Sequence, residues 1–196
     1  MPTKRPSGPR PATAVGICGT PGTGKKTVAP LVGRLLGLRA VSLNSLAPGG
    51  AEEVDPADLR RAFLAAGQRE AVVYGHLLPH VLRRGEARLV AVLRCEPSVL
   101  RKRLEARGYP AAKVRENVEA ELIGVVLDEC VRAFGEAAVR EYDTTDASPG
   151  RVAEAVARDA SAPARRVGQW IDWTLGYGSP TTFRSLLEGK GPAAPT

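Results

Sequence analysis

The residues with the most chemistry in this chain are Gly19-Thr20-Pro21-Gly22-Thr23-Gly24-Lys25, set between an apolar run, Ala14 to Cys18, and an amphipathic stretch. Glycines at this spacing let successive backbone N–H groups curl around a phosphate, the following helix adds its positive end, and Lys25 reaches the terminal phosphates. The same residues could form a tight strand-to-helix turn, but a lysine in this place and order argues for a nucleoside triphosphate. Gly22, Thr23, Gly24, Lys25, Lys26 and Thr27 are the candidate phosphate-binding residues. One position departs from GxxxxGK[ST]: Lys26 stands where a hydroxyl normally ligates Mg²⁺, with Thr27 one place later.

A phosphate loop of this kind usually works with a carboxylate at the end of another buried strand. The run Ala71 to Tyr74 ends instead in Tyr74-Gly75-His76, which leaves Asp55, Asp58 or Glu70 as acids that could compensate. His76 and His80, the two histidines, follow this strand at i and i+4 on the edge where ligands sit in doubly wound folds. His76 is the candidate to act at the phosphates, and His80 is equally a helix-surface residue. Neither histidine has a third ligand nearby, and no residue is assigned to a metal. Mg²⁺ is expected with ATP, its coordination left open. A second basic group follows Arg94 to Ser98: Arg101, Arg103 and Arg107, then Gly108-Tyr109. Arg107, before a glycine that can stop a helix and act as a hinge, is the candidate to clamp phosphoryl groups from a lid, whereas Arg101 reads as a solvated face.

Five short β-rich runs position these residues: Ala14 to Cys18, Arg39 to Leu43, Ala71 to Tyr74, Leu89 to Arg94 and Val139 to Asp143. Their hydrophobicity is continuous rather than alternating, and helical segments follow them, which predicts an α/β fold with a parallel sheet buried on both faces. Val28, Leu31, Val32, Leu35 and Leu36 make one helical stripe, with Pro30 near its start. A longer helix is expected from about Ala111 to Phe134, with Val114, Val118, Leu122, Val125 and Val126 inward and Lys113, Asn117 and Glu121 on the other face. Trp170 to Phe183 is expected to form a final helix capping the sheet, then a turn-rich part near Gly176 to Pro180.

The chain has 196 residues, 43% of them hydrophobic, enough for one core without metals or disulfides. No apolar run approaches the length of a membrane span. Cys18, Cys95 and Cys130 are scattered and odd in number, which excludes a disulfide scaffold and fits a reduced, cytoplasmic setting. The net charge of +7 suits a polyanionic partner, although six lysines against twenty-two arginines is also a compositional habit. Residues 1–12 read as a disordered basic tail, 13–175 as one domain and 176–196 as a partly disordered extension.

Together these residues resemble the adenylate kinase isoenzyme 6 family of archaeal and eukaryotic proteins, of CINAP type. The resemblance covers Ala14 to Trp173 and rests on GTPGTGK, the Gly75-His76 pair, RLEARGY at Arg103 to Tyr109, the Lys113, Glu116, Asn117 and Glu121 set, and Asp143-Thr144-Thr145. It implies a five-stranded P-loop, nucleoside monophosphate kinase-like fold with a short lid near 106–116. It also implies adenylate kinase and ATPase activity on ATP and AMP, and small-ribosomal-subunit maturation through a ribosomal protein, with rRNA as a further partner. By motif position Arg107 would be the lid arginine, His76 the histidine linked to hydrolysis, and the Asp143 to Pro149 turn would lie near adenine. Residues 44–59 look shorter than the family's monophosphate-binding insertion. That shortening, with Lys26 and Tyr74, keeps open a second reading, an ATP-binding assembly factor with weakened catalysis. A small-molecule kinase with another acceptor is the third.

Overall fold

The computed structural model describes residues 13–46, 55–67, 70–162, 170–177 and 179–189. The predicted tail 1–12, half of the shortened insertion (47–54) and residues 190–196 lie outside them. Five parallel strands form one sheet in the order β2-β3-β1-β4-β5: β1 Ala14–Cys18, β2 Arg39–Ser42, β3 Ala71–Tyr74, β4 Ala87–Arg94 and β5 Val139–Asp143. The register sets Ile17 against Tyr74 on one side of β1 and against Ala91 on the other. The carboxyl end of β1, where the glycine loop begins, thus lies between its neighbours.

Helices cover both faces, as continuous apolar strands require. On one face α1 (Lys25–Leu36) and α7 (Pro149–Ser161) bury Val28, Val32, Val152 and Val156 against Val15, Ile17, Ala91 and Leu93. On the other, α2 (Pro56–Ala65), the short α3 (Leu78–Val81) and α6 (Val125–Phe134) close over Cys18, Val73, Val90 and Val92. A third cluster joins α4 (Pro97–Glu105), α5 (Ala111–Leu122) and α8 (Pro180–Glu188) through Leu100, Leu104, Val114, Val118, Leu122 and Leu186. None of the helices among the described residues is long and apolar enough to cross a membrane.

Several expectations are corrected. Strand β2 stops at Ser42, because Leu43 turns into a 3-10 segment with its side chain fully buried. The single helix from Ala111 to Phe134 is two, α5 and α6, broken at Gly124, whose left-handed backbone (φ 70°) redirects the chain. The carbonyl of Glu121 accepts there from the Gly124 N–H at 3.2 Å and from the Arg94 guanidinium at 2.9 Å. Glu121, assigned to the outer face of that helix, is 1% exposed. Trp170 to Phe183 does not form a helix over the sheet: residues 170–172 have no regular structure, Trp173–Tyr177 form a 3-10 turn, and α8 packs on the α4–α5 cluster.

Candidate active site

The glycine loop runs from the end of β1 into α1, and its geometry leaves little choice of residue. Gly24 caps α1 with φ 98°, a conformation that costs an L side chain dearly, and with no side chain of its own it leaves the amino terminus of the helix open at the cavity. Gly22 also has positive φ, and a Cβ there would come within 2.6 Å of Leu100 Cδ1 on α4. A Gly22→Ala chain is therefore expected to lose about 1–3 kcal/mol of stability, read from its thermal midpoint, with the loop pushed off α4.

Lys25, the first residue of α1, folds back over the loop, and its ammonium donates to the carbonyls of Gly19 at 2.5 Å and Thr20 at 3.0 Å. Burial draws its pKa down to about 8, with Arg107 and Lys26 lowering it further and Cys18 and Glu121 opposing. Thr23 is fully buried, and its hydroxyl donates to the Thr20 carbonyl at 2.9 Å, which tightens the loop from inside.

A cavity of about 420 Å³ opens over this loop, lined by Gly22, Gly24, Lys25, Lys26, Thr27, Ser42, Asn44, Tyr74, His76, Arg107 and Tyr109 among others. Of the residues singled out from sequence, Gly22, Gly24, Lys25, Lys26, Thr27, His76 and Arg107 come together here, while Thr23 supports the loop from beneath. Arg107 sits in the turn after α4, with Gly108 (φ 73°) donating back to the Glu105 carbonyl and ending that helix. His76 lies on the rim beyond β3, exposed as a residue. Partial desolvation of its ring lowers its pKa, and the charges of Lys25 and His80 lower it further. His80 is not part of the lining.

The remaining arginines have other duties. Arg103 donates to the carbonyls of Thr144 (2.7 Å) and Thr145 (2.9 Å), which fixes the turn after β5. Arg101, expected on a solvated face, instead donates to the Leu187 carbonyl at 2.8 Å and ties α8 to α4. The turn from Asp143 to Pro149, expected near a base, does not line the cavity. Sequence reasoning passed over Ser42, Asn44 and Tyr109. Ser42 ends β2 and Asn44 lies two residues beyond, at the carboxyl edge where the rule for parallel sheets places ligands, and that rule would have found them.

Among the described residues this lining offers Mg²⁺ the hydroxyls of Thr27 and Ser42. The cation ordinarily takes one or two carboxylates besides phosphate oxygens and water. No carboxylate among the described residues faces the cavity, and no group of three metal-binding side chains occurs among them. Asp55 caps α2 through the Ala57 N–H at 2.8 Å, Asp58 pairs with Arg61, and Glu70 is exposed outside the cavity. The acids expected to compensate for Tyr74 are thus engaged elsewhere or absent from the lining.

Comparison with known proteins agrees with this geometry. A family model described as an AAA domain matches residues 15–124. A protein of Natronomonas pharaonis named "Putative adenylate kinase" is 44% identical over 149 residues, covering 72% of this chain and 86% of its own. One of the same name from Thermococcus kodakarensis is 36% identical over 171 residues, covering 83% and 94%. Among solved structures, a gluconokinase from Sinorhizobium meliloti superposes with a TM-score of 0.53 at 19% identity, covering 77% of this chain and 92% of that one. At that identity the likeness is one of fold alone.

Proposed function

This chain belongs to the P-loop kinase family of those archaeal relatives, and from that premise we propose that it transfers the ATP γ-phosphoryl group to AMP, giving two ADP, with water as a slower acceptor. The observation that carries this reading is the meeting of the α1 amino terminus, Lys25 and Arg107 on one cavity, with no acid among the described residues of its lining. In the reaction the bond from the γ-phosphorus to the β–γ bridging oxygen breaks as one forms to an AMP phosphate oxygen. Charge spreads over the three equatorial oxygens, so positioning and electrostatics do most of the work. Backbone N–H groups of Gly22 to Gly24 hold the β-phosphate. Lys25 leaves its loop carbonyls for the β- and γ-oxygens, and Arg107 closes on the transferring group. His76, on the rim, orients the acceptor or a water. ADP formation from ATP and AMP, followed by a coupled assay against a Lys25→Ala control, tests the reading; equal rates would reject it.

Lys26 bears on both this reading and that of an assembly factor, which would pair metal-independent ATP affinity with negligible turnover. It lines the cavity as a cation where a metal-ligating hydroxyl is usual. ATP affinity is therefore expected to change less than ~threefold between Mg²⁺ and a chelator, and a Lys26→Thr chain to show a difference of ~tenfold or more. An unchanged metal response would remove Lys26 from the phosphate site. A cytoplasmic role in small-subunit maturation, with a ribosomal protein and rRNA as partners, is our wider proposal. The +7 charge and three free cysteines favour it, and co-sedimentation with small subunits that salt does not abolish would test it.

A further inference from the structure

We propose that Glu121 and Trp173 are positioning residues for the phosphate loop, through which the C-terminal segment sets the resting place of Lys25. The inference rests on the ATP-binding reading above. The hydroxyl of Thr20 donates to Glu121 Oε2 at 2.6 Å, and the indole N–H of Trp173 donates to Oε1 of the same carboxylate at 3.2 Å. Two further donors, Arg94 Nε at 2.7 Å and the Cys95 N–H at 3.1 Å, hold Oε1, so the carboxylate is fixed on both oxygens. Thr20 is in turn the node of the loop. Its carbonyl accepts from the Lys25 ammonium at 3.0 Å, the Thr23 N–H at 3.2 Å and the Thr23 hydroxyl at 2.9 Å.

The path from the C-terminal segment to Lys25 is therefore Trp173, Glu121, Thr20, Lys25, with a hydrogen bond at every step. The segment is held at its own end as well. The Ile171 N–H donates to Glu141 Oε2 at 2.7 Å, the Trp173 ring lies 6.0 Å from the Arg94 guanidinium, and the Tyr177 hydroxyl donates to Glu96. Fastening the segment alone would need only the apolar contacts that Trp173, Tyr177 and Leu187 already make with the α4–α5 cluster. Taking a carboxylate, a guanidinium, an indole N–H and a threonine hydroxyl out of water is expensive unless they bond one another, and here all four do. Here the arrangement ends on the carbonyl that parks the site's lysine.

ATP affinity by titration calorimetry, ATP KM and thermal midpoint, measured on the wild-type chain, Thr20→Val, Trp173→Phe and the double variant, test the relay. Each single change is expected to weaken ATP affinity ~threefold or more and to raise the KM for ATP without altering that for AMP. The double change is expected to be no worse than the stronger single, because both act through one carboxylate. Thr20→Ser, which keeps the hydroxyl, restores wild-type affinity. In a Trp170→Phe chain, where Trp173 is the remaining indole, ATP should shift the tryptophan emission, which keeps the proposal testable if Trp173→Phe does not fold. Multiplying effects, a Trp173→Phe chain with lowered midpoint but unchanged ATP affinity, or silent emission would each overturn the relay. A wild-type chain that binds no ATP would strike the kinase reading itself.

Discussion

A Lys25→Ala chain is expected to lose turnover on the order of 10²–10³-fold while keeping its fold, as measured by ADP formation and thermal midpoint. The residue occupies the first turn of α1 with its ammonium on two loop carbonyls, so truncation takes one donor from the Gly19 and Thr20 oxygens. What is lost is the cation that must reach the phosphates as charge moves toward the bridging oxygen. The pH dependence follows from the same environment. Free Lys25 titrates at about 8, and bound phosphates raise that value because they favour the charged amine. The protonated form binds ATP, so affinity is flat at lower pH and falls as pH rises through 8, by up to ~tenfold per unit until the pKa of the complex is passed. In Lys25→Ala that decline should vanish; a wild-type affinity constant up to pH 10 would disprove the account, 10 being about two units above the free value.

The phosphate loop and the sheet were legible for one reason: each is dictated by chemistry local in sequence. Glycines that must turn left-handed and a lysine at fixed spacing announce the loop wherever it lies. Strands buried on both faces must be apolar throughout, which gave β1 and β3 their bounds. Glu121 was illegible because its partners, Thr20 and Arg94, are 101 and 27 residues away, and a lone Glu on an amphipathic helix normally belongs outside. The break at Gly124 hid in a periodic apolar run, because the guanidinium that takes the Glu121 carbonyl comes from β4. Trp173 was read as a core aromatic on a helix. Its ring does pack in a core, but its N–H is spent on a carboxylate 52 residues upstream, and no pattern in its own neighbourhood records that.

Replacing Arg94 alone, as Arg94→Met, is expected to destabilise the fold by about 3–5 kcal/mol, a drop in thermal midpoint of ~10 °C or more for a domain of this size. Arg94 is 2% exposed and stands between the carboxylates of Glu121 and Glu141, each buried with it. Without the guanidinium, two acids face one another out of water, and the Glu121 carbonyl loses its charged donor. Burial already pushes the Glu141 carboxyl above its ordinary value, against the opposing pull of Arg94. Removing Arg94 takes away a pull that lowers it and so raises it further. A carboxyl whose folded pKa lies above its unfolded one stabilises the protonated fold. That contribution is fully present below the unfolded value near ~4 and is lost as pH rises through the folded value. The variant's deficit should therefore be smallest in mild acid and grow toward neutrality, measured by urea titration across the range. The chain Arg94→Met, Glu121→Gln, Glu141→Gln should recover most of the lost stability at neutral pH. It should also lose the slope, since no buried acid remains to titrate. A deficit that does not vary with pH would mean that Arg94 acts through packing rather than charge.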